Sequence, residues 1–231
     1  MIYLLISIFF STVFSESIKY NVKYNNIKAG TAFFSHNVLK KDSTNFKEIS
    51  FSVKSNKLID IFYKLRIKVS MTVDADEYFI YNLRKNNIEG KKRDQSFSII
   101  NYNIQKIMYN DQKIMFNGEK VYSILSLIYF LRNQKLKVGK EYSINIYNNG
   151  SITPVIASII DQYIEEKINY FVIEVKSKNK NKNHMKLILS EVNNSNIPIY
   201  FELNTKNGIM ELSIDEWKYI NNLQSYKWNK I

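Results

Sequence analysis

Leu65-Arg66-Ile67-Lys68-Val69-Ser70-Met71-Thr72-Val73, residues 65–73, sets an apolar side chain at every second position with polar or charged ones between. Successive side chains of an extended chain point to opposite faces, so this stretch reads as a β-strand with one face on a core. The same period of two continues on both sides of it. Upstream, Ile18, Tyr20, Val22 and Tyr24 alternate with polar residues, a second strand starts at Ala29-Gly30 and runs through Thr31, Phe33 and Ser35, and residues 46–53 alternate again. Downstream, residues 78–88 continue with Phe79, Tyr81 and Leu83. Further strands fall at 95–101, 106–109, 113–116, 141–147, 152–160, 168–175, 185–192, 198–203 and 209–214. Asn25-Asn26, Asn110-Asp111, Asn148-Asn149-Gly150, Asn193-Asn194-Ser195 and Lys206-Asn207-Gly208 separate strands with residues that tolerate positive φ. The Lys/Asn stretch 177–183 reads as a solvated hairpin tip.

One segment breaks this period. Residues 121–132 put Leu125, Ile128, Tyr129 and Leu131 at helical spacing, with Ser123 as an N-cap and Gly139 ending the chain segment that follows. Residues 56–63 suggest a second, short helical turn. The expected fold is therefore mainly β: an antiparallel, strongly curved sheet forming an open or half barrel, with one short helix packed against it as plug or lid.

With 231 residues, 45% hydrophobic and 14% aromatic, the chain has the apolar content for a single core. It holds no Cys, which removes thiol nucleophiles and thiolate metal sites, and only two imidazoles, His36 and His184. The net charge of +12 is almost wholly Lys; the only arginines are Arg66, Arg84, Arg93 and Arg132. Scattered lysines in a chain rich in Asn, Ile, Tyr and Phe describe a solvated basic surface rather than a nucleic-acid interface, where clustered Arg is expected. Attraction to an anionic membrane face fits the same charge.

Met1 to Ser15 is apolar almost throughout and carries no charged side chain. It is too short for a bilayer-spanning helix of about 20 residues and has the length of a secretory leader, with Val13 and Ser15 at the −3 and −1 positions before Glu16. The expected organisation is a signal peptide over 1–15, one β domain over 16–214 and a C-terminal tail over 215–231 carrying Trp217, Tyr219, Tyr226 and Trp228. The mature chain is then exported, periplasmic or otherwise, without a transmembrane segment and without reliance on disulfides.

Several weak motifs follow one another in a set order: Tyr20-x-x-x-Tyr24, Ile27-Lys28-Ala29-Gly30, Val73-Asp74, Glu89-Gly90, Ser123-x-x-Ser126-Leu127-x-Tyr129-Phe130-Leu131-Arg132, Leu136-x-Val138-Gly139-Lys140, and Ile197-Pro198-Ile199 before Gly208 to Leu212. In that order and spacing the chain resembles the exported bacterial family called domain of unknown function 3108, over roughly Ser17 to Leu212. The resemblance implies an envelope protein of Gram-negative-type bacteria with a curved, barrel-like antiparallel sheet, similar in shape to half-barrel lipoprotein carriers and lipocalin-like folds. It implies no activity, and the tail after Leu212 lies outside it.

No phosphate-cradling loop, nucleophile elbow or dinucleotide fingerprint occurs among the 6 glycines. No cofactor or metal is expected, and the chain reads as a binder rather than an enzyme. Asp74 and Asp76, on one face of a strand and about 7 Å apart, have the spacing of a glycosidase pair; an acidic turn at the strand end is the plainer reading. Arg132 is either a helix-terminus cation or an anion-binding group at the barrel mouth, and Arg66 has the opposite parity to the apolar face of its strand. The expected ligand-binding set is Arg66, Arg132, Tyr63, Tyr81 and Tyr129, around a lipid or other amphipathic envelope ligand. A structural or assembly factor binding envelope proteins through its aromatic tail is the alternative, and a cell-wall glycan hydrolase a more distant one.

Overall fold

The computed structural model describes residues 15–41, 44–178, 183–205, 208–219 and 224–227. The leader expected before Glu16 thus lies outside the described residues except for Ser15, as does most of the polar tip expected at 177–183.

Seven strands form a first meander: β1 (Ser15–Tyr24), β2 (Ile27–Lys41), β3 (Thr44–Ser55), β4 (Leu65–Asp74), β5 (Ile80–Glu89), β6 (Lys92–Asn101) and β7 (Lys106–Tyr109), followed by the short β8 (Gln112–Met115). A helical turn, α1 (Lys57–Phe62), links β3 to β4. After the two-residue β9 (Val121–Tyr122) comes α2 (Ile124–Arg132), then a second meander of β10 (Glu141–Asn148), β11 (Ser151–Glu165), β12 (Ile168–Ser177), β13 (Asn183–Val192), β14 (Ser195–Thr205) and β15 (Gly208–Tyr219). Within each meander every strand pairs with its neighbour in sequence, and β1 pairs with β15 to join the two meanders into one antiparallel order from β8 to β10, with β9 added in parallel on β10. A last strand, β16 (Gln224–Lys227), pairs with the end of β15 beyond the reach of β14. β15 therefore runs past residue 214, where the domain was expected to end.

Local chemistry accounts for the sequential pairing. At Asn25-Asn26, Asn149-Gly150, Glu166-Lys167 and Asn193-Asn194 both turn residues have positive φ, between 47° and 80°. Two-residue type I′ hairpins need this, because only that turn matches the right-handed twist of the strands it joins. Gly30 has a different role. A Cβ there would lie 2.1 Å from the Lys54 carbonyl oxygen, so glycine lets β2 close on β3. Pro198 lacks an N–H and sits at a register shift between β13 and β14, and its carbonyl accepts from the Tyr20 hydroxyl at 2.7 Å.

The sheet curls until its two ends face each other. Among the described residues no backbone ladder joins them. Side chains do: the Tyr147 hydroxyl of β10 donates to Ser98 Oγ of β6 at 2.9 Å, and Lys85 of β5 reaches Asn149 at the β10–β11 turn at 3.1 Å. The interior is filled by inward side chains such as Tyr20, Phe34, Ile49, Met71, Phe201 and Leu212, all 1% exposed or less. α2 plugs it. Ser123 caps the helix by accepting the Ser126 N–H at 2.9 Å while Ser126 Oγ accepts the Ser123 N–H, and Leu125, Leu127, Ile128, Tyr129 and Leu131 are buried. The expected helix began at 121, but Val121 and Tyr122 form β9 because Ser123 starts the helix.

Alternating strand directions give the barrel two ends. One carries the β1–β2, β5–β6 and β10–β11 turns, α1 and the start of α2. The other carries the β4–β5, β11–β12 and β13–β14 turns, the start of β1 and the C-terminus of α2.

Candidate functional site

The inward face of β5 changes character along its length. Leu83, opposite Met71, belongs to the core; Lys85, opposite Val69, and Asn87, opposite Ile67, continue the same face with polar groups. They line a half-enclosed cavity of about 350 Å³ beside the first turn of α2. Phe51, Ile67, Val69 and Leu83 form one wall, Ile146, Tyr147 and Val155 the other, and Leu125, Leu203 and Met210 close it between them. The volume lies within the 300–1,000 Å³ of small-molecule sites, and an apolar lining with few polar groups is their usual character. A larger hollow of about 620 Å³ is lined by the exposed Glu119, Lys120, Glu141 and Lys178 together with Tyr122, Phe130, Tyr142 and Ile144, and its lining is far more polar.

Lys85 is the cation of the cavity. Burial lowers its pKa to about 8, while the charge of Asp94 pulls the other way. Its ammonium donates to the side-chain oxygens of Asn148 and Asn149. An ammonium has three donors, and among the described residues these two oxygens take two of them. The turn holding those asparagines is itself fixed, because the Gly150 N–H donates to the Tyr147 hydroxyl at 3.1 Å. Asn87 Oδ1 is buried without a hydrogen-bond partner among the described residues. A buried acceptor left unpaired costs about 1–3 kcal/mol, which a donor on a bound molecule recovers.

At the other end Arg132 meets Glu16. The guanidinium donates from both terminal nitrogens to the two carboxylate oxygens at 2.7 Å, and from Nε to the Asn196 carbonyl at 2.6 Å. Trp217 Nε1 donates to Glu16 at 2.9 Å, and His36 Nδ1 lies 3.3 Å away. The Glu16 side chain is 2% exposed and that of Arg132 10%. Burial alone would raise the Glu16 carboxyl; the charge and hydrogen bonds of Arg132, with His36 adding, outweigh it and hold it well below the usual carboxylate range. The sequence offered a helix-end cation or an anion site at the barrel mouth. In the fold, Arg132 is occupied by an internal carboxylate.

The five residues expected to hold a ligand do not converge, and none lines the apolar cavity. Arg66 binds Asp60 of α1 and Ser55 Oγ, and the exposed ring of Tyr63 covers Gly90 at the same end. Tyr81 packs edge-on against Phe46 and Tyr102. Tyr129 is buried in the core against Phe34, His36 and Tyr78, with the Arg132 guanidinium 5.0 Å from its ring centre. Asp74 Oδ1 accepts the N–H groups of Asp76 and Glu77 at 3.0 and 2.9 Å, and Asp76 is exposed. That pair is an acidic turn, as the plainer reading had it. Among the described residues no group of three His, Asp or Glu side chains is arranged to hold a metal, and no helix is long and apolar enough to cross a membrane.

The sequence marks Asn148 and Asn149 only as a turn and does not single out Lys85 and Asn87, although a signal exists: the face of Tyr81 and Leu83 continues at period two into Lys85 and Asn87. An inward parity that turns polar marks an interior that is not fully packed.

The family described as Protein of unknown function (DUF3108) matches residues 19–215, and the chain belongs to it. No curated protein matches the chain. A crystal structure of a beta-barrel-like protein of domain of unknown function DUF1849 from Brucella abortus is similar with a TM-score of 0.55 at 8% identity, covering 90% of this chain and 98% of that one. At that identity the likeness concerns the fold.

Proposed function

We propose that this member of the DUF3108 family is a non-catalytic binding or carrier module for a small amphipathic anion of the cell envelope, acting after export. The apolar part of the ligand occupies the cavity between β4–β5 and β10–β11, its anionic group takes the third donor of Lys85, and a hydroxyl or amide N–H satisfies Asn87. One observation carries this reading: a pocket apolar on most sides that ends on a lysine whose charge is only partly neutralised by its neighbours. Export is supported by the apolar, uncharged leader of residues 1–15; without Cys the mature fold would not rely on oxidation there. The aromatic tail reading is less favoured, because Trp217 is buried on Glu16 rather than offered to a partner.

The test is titration with a fluorescent alkyl sulfonate, which stays ionised at every working pH. Wild type is expected to bind saturably, Lys85→Met roughly tenfold more weakly, a loss of about 1.4 kcal/mol, and Val69→Trp not at all because the ring fills the cavity. Mass spectrometry of an organic extract of the purified chain identifies the natural occupant. Equal binding by all three proteins, or none by wild type, refutes the reading.

A further inference from the structure

We propose that the α1 end of the barrel docks on an anionic phospholipid bilayer, which goes beyond the cavity reading and does not depend on it. α1 is amphipathic in the inverted sense. Its acidic residue Asp60 points back to the protein, where it binds Arg66 and Ser55, and Asn56 caps it by accepting the Ile59 N–H at 2.9 Å. Its large apolar residues point out: Leu58 is 75% exposed, Ile61 73% and Phe62 87%, and the helix buries no residue at all. Surface helices turn their apolar stripe to the core. Here the ion pair holds the helix the other way round and displays the stripe.

The neighbourhood extends this surface. Asn56 Nδ2 donates to the Lys28 carbonyl at 3.1 Å, which sets the β1–β2 turn with Ile27, 63% exposed, beside α1. The Gly90 N–H donates to the Lys64 carbonyl at 2.8 Å, which brings in the β5–β6 turn. Around the apolar tips stand the exposed Lys28, Lys54, Lys57, Lys64, Lys91 and Lys92. The one acid on α1, Asp60, is already paired with Arg66. Apolar tips ringed by lysines match a bilayer surface: the tips enter the acyl boundary, the lysine stems lie along it, and the ammonium groups meet lipid phosphates. The cavity lies at this same end, since Lys85 and Asn87 lead into the β5–β6 turn and Leu203 of β14 pairs with Met210 near the start of β15. Docking therefore places the pocket next to the lipid from which an amphipathic ligand would come.

Flotation with vesicles tests this, using wild type and variants of the chain with identical N-termini. Wild type is expected to float with phosphatidylglycerol-containing vesicles and to be released by raised salt, because headgroup attraction is screened. It should bind pure phosphatidylcholine vesicles far less. The variant Leu58→Ser/Ile61→Ser/Phe62→Ser should lose roughly tenfold or more in partitioning, and Lys57→Glu/Lys64→Glu several-fold, with unchanged circular dichroism since none of these side chains is buried. Sulfonate binding in solution should be unchanged by either variant, so failure of docking and failure of the cavity reading are separable. Equal capture by both vesicle types, or undiminished flotation of the triple variant, overturns the proposal. So does a dimer in solution that the triple substitution dissolves while flotation stays the same, which would make the patch a protein interface.

Discussion

Replacing Arg132 by Met removes the cation from a carboxylate that is 2% exposed. The side chain of Glu16 then keeps Trp217 Nε1 at 2.9 Å and His36 at 3.3 Å, loses two charged hydrogen bonds of 2.7 Å, and cannot reach bulk water. Leaving a buried charge uncompensated costs about 3–5 kcal/mol. For a domain of this size each kcal/mol lowers Tm by roughly 2–4 °C, so a fall of about 6–20 °C is expected. Thermal unfolding followed by far-ultraviolet circular dichroism measures the shift, and urea unfolding the free-energy cost. Glu16→Gln should cost a similar amount, because it strands the Arg132 guanidinium instead. The double variant Glu16→Met/Arg132→Met leaves no charge behind and should be more stable than Arg132→Met alone. The pH dependence has a definite sign. The Glu16 carboxyl is depressed in the folded chain, so its contribution is complete above the ordinary carboxylate pKa of 4.5 and is lost as pH falls below it toward the lower folded value. Wild type should lose stability more steeply than Glu16→Gln below that point. A cost under about 1 kcal/mol for Arg132→Met, or a double variant worse than both singles, refutes the reasoning.

Three further outcomes are expected. Affinity for the alkyl sulfonate should fall as pH rises through about 8, where Lys85 loses its proton, and should be flat with pH in Lys85→Met; fluorescence titration at each pH reads it. Gly30→Ala should destabilise by about 1–3 kcal/mol in urea unfolding, because the new methyl meets the Lys54 carbonyl at 2.1 Å and β2 must shift from β3. Ser123→Ala removes the acceptor for the Ser126 N–H and should cost about 1 kcal/mol by the same assay, with sulfonate affinity also lowered because the first turn of α2 borders the cavity.

The strands were legible because alternation is a local property. Leu65 to Val73, the Asn-rich turns and the Ser123 cap each state their conformation within a few residues, and β4, the type I′ hairpins and α2 stand where those signals put them. The misplaced edges are instructive. Tyr78 was read into a strand but takes a φ of 63° as the acidic turn closes on Asp74, and β15 outruns residue 214 because β1 offers a partner edge as far as Tyr219. The site was less legible. Arg132 was singled out for its place at a helix end, and nothing near it in sequence announced Glu16, 116 positions away.

Fold class, hairpin order, the place of the single plugging helix and a basic, cysteine-free surface followed from the chain of residues alone, since period, turn chemistry and composition act over a few positions. Only the curled, open sheet decided which charges are spent internally and which remain. Curling brought Glu16 to Arg132 and paired that cation with an internal carboxylate. It also set Lys85 against the β10–β11 turn in an apolar hollow and turned Leu58, Ile61 and Phe62 outward. Such pairings depend on distances in space between residues far apart in sequence, where desolvation and Coulomb attraction act and periodicity carries no information.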